Sequence, residues 1–212
     1  MPSPSAPERT LRADAARNRE RIIDAATEVF AEQGLEASTA EIAARAGVGE
    51  ATLFRRFESK DELIVAIIEA RMTQGLHALE EALERDDPGQ ALEDWLEWAV
   101  GDLAGDLGFF EAARDQCLVS PAVAEVRREI LARMTELLGR AQSAGAIRSD
   151  IAPQDLSFLI SAAASATAKM PVPGMRADLW RRYLGIILDG LRPEGATKLR
   201  PGPPPRRLFE QS

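Results

Sequence analysis

The residues best suited to chemistry lie in one short run, Ser38 to Lys60, and the chemistry they offer is the grip of a polyanion. Arg55 and Arg56 can bond phosphate oxygens or the acceptor edge of guanine, and Thr52 can donate to a phosphate. Lys60 and Thr39 each stand at the start of a predicted helix, where free amides and the helix dipole also attract phosphate. Catalytic constellations are absent by comparison. A single histidine, His77, excludes a multi-histidine metal site within one chain, and a single cysteine, Cys117, excludes a disulfide framework and cysteine-built clusters. A Ser-His-Asp hydrolase would have to use His77, which reads better as a surface or packing residue. No nucleophile–base pair and no phosphate-cradling loop has useful spacing. The expectation is a protein that is not an enzyme, with no catalytic residue, metal or cofactor.

Positioning those side chains requires two short helices and a tight turn. Ser38-Thr39-Ala40-Glu41 has the pattern of a capping box: Ser38 can accept from the Glu41 amide while Glu41 reaches back. Ile42, Ala43 and Ala46 form a buried face, small enough at the alanines for a close crossing. Gly47 supplies the left-handed turn. A third helix is predicted over 50–57. With Leu53 and Phe57 pointing inward, Glu50, Ala51, Thr52, Phe54, Arg55 and Arg56 take outward or flanking directions. Glu50 has two readings that stay open: a favourable charge in a first helical turn, or an acceptor for a cytosine amino group. Ser59-Lys60-Asp61-Glu62 repeats the capping pattern and opens a long fourth helix. Two helices around a glycine turn, with a third packed behind, make a helix-turn-helix, whose second helix enters the DNA major groove.

The run Thr39-Ala40-Glu41-Ile42-Ala43-Ala44-Arg45-Ala46-Gly47-Val48-Gly49-Glu50-Ala51-Thr52-Leu53-Phe54-Arg55-Arg56-Phe57-Glu58-Ser59-Lys60-Asp61-Glu62-Leu63 resembles the DNA-binding domain of the tetracycline-repressor (TetR) family, over roughly residues 15–75. The resemblance implies a homodimeric all-α regulator. Its N-terminal domain would bind a palindromic operator in double-stranded DNA, and its C-terminal domain would dimerise and bind an inducer. Mapped onto this chain, the DNA-binding residues are Ser38, Thr39, Gly49, Glu50, Ala51, Thr52, Phe54, Arg55, Arg56 and Lys60. Two positions depart from the family pattern. Phe54 stands where a tyrosine is usual, so a phosphate-contacting hydroxyl is missing. Gly49 stands where serine often caps the third helix, and glycine caps less well.

The chain has 212 residues and a net charge of −8, which argues against a general nucleic-acid coat or a polybasic membrane binder. Residues 1–62 carry nine basic against twelve acidic side chains, so DNA affinity must come from placement of the cations. Nothing approaches 18 consecutive apolar residues, and the N-terminus lacks a signal-peptide pattern, so a cytoplasmic protein is expected. The predicted organisation is a flexible tail over 1–13, a helix-turn-helix domain over 14–60, a helical ligand-binding and dimerisation domain over 61–192 and a proline-rich tail over 193–212. Helices are predicted at 14–33, 88–104, 108–118, 121–144, 153–169 and 176–191, besides those already named. Trp95, Trp98, Phe109, Phe110, Met134 and Phe158 are core residues first, and with Arg114 and Cys117 they are the candidates to line a pocket for a small apolar or amphipathic effector. The small-residue run Ser161–Ala168 and the apolar stripe Leu179, Tyr183, Ile186, Ile187 and Leu191 would, by the resemblance, meet their symmetry mates in a four-helix interface. Two rivals remain: a DNA-binding regulator controlled by a protein partner or by abundance, favoured by a closed C-terminal core, and an all-α enzyme on the same fold.

Overall fold

The computed structural model describes residues 6–114, 120–168 and 178–205, and among these every regular element is helical. The helices are α1 (Ala6–Gln33), α2 (Thr39–Ala46), α3 (Glu50–Phe54), α4 (Lys60–Leu83), α5 (Pro88–Gly105), α6 (Leu107–Ala112), α7 (Pro121–Ser143), α8 (Pro153–Ala168) and α9 (Trp180–Leu191). Pro7, Pro88, Pro121 and Pro153 fall in first turns, where a missing N–H costs nothing.

Three boundaries differ from expectation by three residues or more, those of α9, α1 and α3: α9, predicted from 176, begins at Trp180 after a turn at 178–179. α1 starts at Ala6, eight residues before the predicted Asp14, because Pro7 opens it and the residues that follow are mostly good helix formers. α3 ends at Phe54 instead of residue 57. Arg56 N and Phe57 N both donate to Leu53 O, at 2.8 and 3.0 Å, so the chain tightens and turns Phe57 into the interior, where it is 1% exposed. The predicted helix at 108–118 is represented by α6, and Cys117 lies outside the described residues.

Two apolar clusters divide the molecule. The first joins Ile22, Ala26, Val29 and Phe30 of α1 to Ile42, Leu53, Phe57 and the first half of α4, with Phe109 and Val123 added from the C-terminal part. The second is built from Leu79, Leu92, Trp95, Leu96, Met134, Leu137, Leu156, Trp180 and Leu184. α4 contributes Leu63, Ile64, Ile67 and Ile68 to the first and Leu79 and Ala82 to the second, so one rigid rod is shared by both cores. It runs chiefly against α7, while α5 packs on α8 and α9. The segment after α9 crosses back over the α7–α8 corner: Leu199 N donates to Asp150 Oδ2 at 3.1 Å, and the Arg148 guanidinium donates to Thr197 O. Among the described residues no helix is long and apolar enough to cross a membrane.

Candidate nucleic-acid interface

The reading unit is assembled from its caps inward. Glu41 N donates to Ser38 Oγ at 3.2 Å, and Ser38 N donates to Glu41 Oε2 at 2.9 Å, completing the capping box. These bonds hold the Glu41 carboxyl below its ordinary range, the Ser38 backbone donor being the larger cause. Ser38 is thereby committed to positioning α2, and its hydroxyl also donates to Glu41. Gly47 has φ +65° and closes α2, its N–H directed to Ala43 O and Ala44 O. A second constraint fixes glycine here, because a Cβ would sit 2.9 Å from Arg21 Nη2. That guanidinium donates to Ala46 O at 2.6 Å, so Arg21 caps the C-terminal end of α2. Arg21 therefore has an internal role in the reading unit. Gly49 precedes α3 without a side-chain cap bond, as expected of glycine.

On α3 only Leu53 is buried. Glu50, Ala51, Phe54, Arg55 and Arg56 are exposed and Thr52 is half-buried, with Phe54 presenting 46% of its surface. Arg55 Nη2 donates to Thr52 Oγ1 at 3.1 Å, which aligns the guanidinium along the helix. Arg56 has no partner among the described residues. Lys60, at the start of α4, holds its ammonium 5.8 Å from the Phe30 ring centre, and Ser59 Oγ accepts from Glu62 N at 3.1 Å. The second capping box is incomplete: the Glu62 carboxylate takes Glu58 N, one residue further back than the pattern requires. Between α2 and α3, Thr39 Oγ1 donates to Glu50 Oε1 at 2.8 Å. This contact was not legible in sequence, since the two residues are eleven apart and only the turn brings them together.

Behind this face Arg17, Arg19 and Arg45 are occupied. Arg45 bridges Glu28 and Glu32 of α1, at 3.0 and 2.8 Å, and its hydrogen bond lowers the Glu32 carboxyl. Arg19 lies 5.5 Å over Phe57, and Arg17 pairs with Asp14. The result is an exposed face with an acid at its leading end, a threonine-held arginine in the middle and two more cations behind.

The candidate effector pocket is dispersed instead of gathered. Trp95 is buried in the second cluster, its indole N–H directed to Gly75 O at 3.3 Å, and Met134 is buried beside it. Phe109 belongs to the first cluster, stacked 5.9 Å from Phe30, and Phe110 lies under the Arg71 guanidinium at 5.0 Å. Trp98 is 38% exposed, Arg114 is exposed, and Phe158, 53% exposed, lies on the outer face of α8, two positions and so about 200° round the helix from the buried Leu156. A crevice of about 480 Å³ does open where α1 meets the α5–α6 junction, lined by Phe30, Leu35, Asp106, Leu107 and Phe109 among others. His77 is exposed on α4. Among the described residues no group of three or more potential ligands could hold a metal.

An exposed, cation-bearing second helix fixed to its partner by a glycine turn, joined through one long helix to an all-helical body, defines a helix-turn-helix regulator. Residues 22–67 match the model of the tetR family of bacterial regulatory proteins, and residues 87–193 match that of the SbtR-like transcriptional regulator C-terminal domain. The chain belongs to the TetR family of transcriptional regulators. It is similar to a crystallised TetR regulator of Streptomyces coelicolor, with 32% identity, 84% of this chain and 99% of that one covered, and a TM-score of 0.66. A TetR regulatory protein from Mycobacterium vanbaalenii gives 34% identity, 86% and 99% coverage and the same TM-score. An uncharacterized HTH-type transcriptional regulator of Bacillus subtilis, YvdT, is 35% identical over 101 residues, and that match covers 47% of this chain and 48% of YvdT.

Proposed function

We propose that the protein represses transcription as a homodimer that binds a palindromic operator through α3 and is released by a small apolar or amphipathic effector. The observation that carries the DNA-binding part is the division of α3: Leu53 is fully buried while Glu50, Ala51, Phe54, Arg55 and Arg56 stand free of the body. A helix so divided can enter the major groove without any other element moving aside. Dimerisation is supported by an apolar face on α8 and α9. Phe158, Tyr183 and Ile186 are exposed there, beside the exposed small residues Ser161, Ala162 and Ala166, which allow close helix approach. A two-fold partner would set two α3 helices at a separation near one DNA turn, roughly 34–36 Å.

Release by an effector is supported by the position of the α1/α5–α6 crevice, whose walls come from both the reading unit and the C-terminal body. A ligand there shifts the equilibrium by its differential affinity for two spacings of those walls. The burial of Trp95 and Met134 in the second cluster favours a second reading, in which a protein partner or abundance sets operator occupancy. Selection of bound duplexes from a random pool, followed by a screen for compounds that release the selected duplex, tests both. Arg55→Ala and Lys60→Ala are each expected to weaken DNA binding and leave the dimer intact. Unchanged affinity in both variants overturns the assignment of the reading head. Failure of every apolar or amphipathic compound to release the duplex favours the second reading.

A further inference from the structure

We propose that Glu50 is a base-reading residue that selects an amino-bearing base, cytosine or adenine, at one position of each half-site, and that Thr39 is the residue that positions it. The inference rests on the DNA-binding reading above and goes on to say what the reading head requires of its target. It starts from the 2.8 Å bond from Thr39 Oγ1 to Glu50 Oε1. Threonine has one hydroxyl proton, and here it is committed to the carboxylate. The Thr39 side chain therefore has nothing left to donate to a phosphate while the pair is intact. Glu50 in turn repels phosphate. The pair is unsuited to the backbone contact expected of Thr39 from its place at the start of α2.

What the pair can do follows from valence. An ionised carboxylate only accepts hydrogen bonds, and it has two oxygens. Thr39 takes up Oε1, which leaves Oε2 available to accept at the exposed leading end of α3. In the major groove cytosine N4 and adenine N6 present N–H donors, whereas guanine O6 and N7 and thymine O4 present acceptors. A carboxylate held in place thus gains from an amino edge and meets repulsion from a guanine or thymine edge. Without the tether, the side chain could rotate away from an unsuitable base and the discrimination would weaken.

The experiment is selection of bound duplexes from a random pool by the full chain as wild type, Glu50→Gln, Thr39→Val and Thr39→Ser. Wild type is expected to give one pair of symmetry-related columns restricted to cytosine or adenine on the strand facing α3, and the two bases are told apart by the sequences recovered. Exchanging that base for guanine or thymine in the selected duplex should weaken wild-type binding about ten-fold and leave Glu50→Gln nearly indifferent. Thr39→Val should relax the same column alone, and Thr39→Ser, which restores the hydroxyl, should return it. The same columns for wild type and Glu50→Gln, or a uniform gain of affinity in Glu50→Gln at every sequence, overturns the base-reading role. A Thr39→Val column as sharp as wild type overturns the positioning role. If the wild type enriches no duplex at all, the DNA-binding reading itself fails and this inference falls with it; if it enriches one that Glu50→Gln also prefers, only this inference falls.

Discussion

Replacing Arg71 by methionine probes the joint between the shared rod α4 and the C-terminal body. Arg71 Nη1 donates to Asp106 Oδ2 at 2.8 Å, Nη2 reaches Asp102 Oδ1 at 3.4 Å, and the guanidinium lies 5.0 Å over the Phe110 ring. The three charged side chains are 19%, 15% and 27% exposed, in the order Arg71, Asp106, Asp102. Removing one partner from a fully buried pair costs roughly 3–5 kcal/mol, and an exposed pair is worth about 1 kcal/mol at most. At this exposure the loss should fall near 2 kcal/mol, because methionine fills the space but leaves two carboxylates facing each other. For a chain of this size that is a fall in Tm of about 4–8 °C. The sign of the pH dependence follows from Asp102. Burial pushes its carboxyl up and the Arg71 charge opposes this, so the variant should titrate higher still. A carboxyl raised in the folded state contributes stability that is fully present below its unfolded pKa, about 3.9, and is lost as pH rises through the folded value. The deficit of Arg71→Met should therefore be largest at neutral pH and shrink as the solution is acidified through the Asp102 titration. Urea unfolding of wild type and variant between about pH 4.5 and 7.5 measures it. A deficit below about 0.5 kcal/mol, or one that does not change across that range, refutes the electrostatic account of the joint.

Gly47→Ala should cost about 2 kcal/mol, the sum of a left-handed backbone penalty and the loss of the Arg21 bond to Ala46 O, while Gly34→Ala, equally left-handed but with open space around it, should cost only about 1; equal losses in urea unfolding would show that Arg21 contributes nothing. Ile186→Asp is expected to make the protein monomeric by sedimentation without changing its helicity, and a persistent dimer would remove the α8–α9 face from the interface. Asp150 is held down to about 2 by the Arg148 hydrogen bond and then by Leu199 N, so the stability it confers is present above the ordinary carboxylate range and is lost as pH falls from about 4 towards 2. Proteolytic cleavage within 193–205 should accelerate over that window in the wild type and be pH-insensitive in Asp150→Asn. With Arg55, Arg56 and Lys60 as the outward cations, six per dimer, the logarithm of operator affinity should fall with the logarithm of salt at a slope of about −5; a flat response counts against a phosphate-dominated interface.

What sequence disclosed and what it concealed divide along a physical line. Caps and left-handed turns are local, so Ser38, Glu41, Gly47 and Ser59 announce the helix boundaries from side-chain chemistry alone, and the structure places them there. The inward pair Leu53 and Phe57 was equally legible, since helical spacing leaves few alternatives. The effector pocket was not. An aromatic residue reports only that it wants burial, and α4 offers two separate cores in which to find it: Phe109 went to one and Trp95 to the other. Phe158 is in neither and stays 53% exposed, and composition alone does not tell an exposed apolar surface from a ligand pocket. The contacts most informative about mechanism join residues eleven to thirty-five positions apart, Thr39 to Glu50 and Arg71 to Asp106, and no periodicity reports such pairs.

The placement of charge reconciles an acidic chain with an anionic target. Nine basic residues precede position 63, and a count treats them alike. In the fold they are not alike. Arg21 satisfies a helix-end carbonyl, Arg45 is shared between two glutamates, Arg19 covers an aromatic ring and Arg17 pairs locally. Each of these arginines holds the reading unit together, so the acids that outnumber the bases are in part the partners that keep α1 and α2 in register. Over residues 14–62 the cations left outside this scheme, Arg55, Arg56 and Lys60, all lie on or beside α3. The surplus of acid over the chain as a whole then acts against nonspecific attachment of a duplex. On this reasoning the acidity of the chain favours productive encounters at the α3 face, where Arg55, Arg56 and Lys60 stand together.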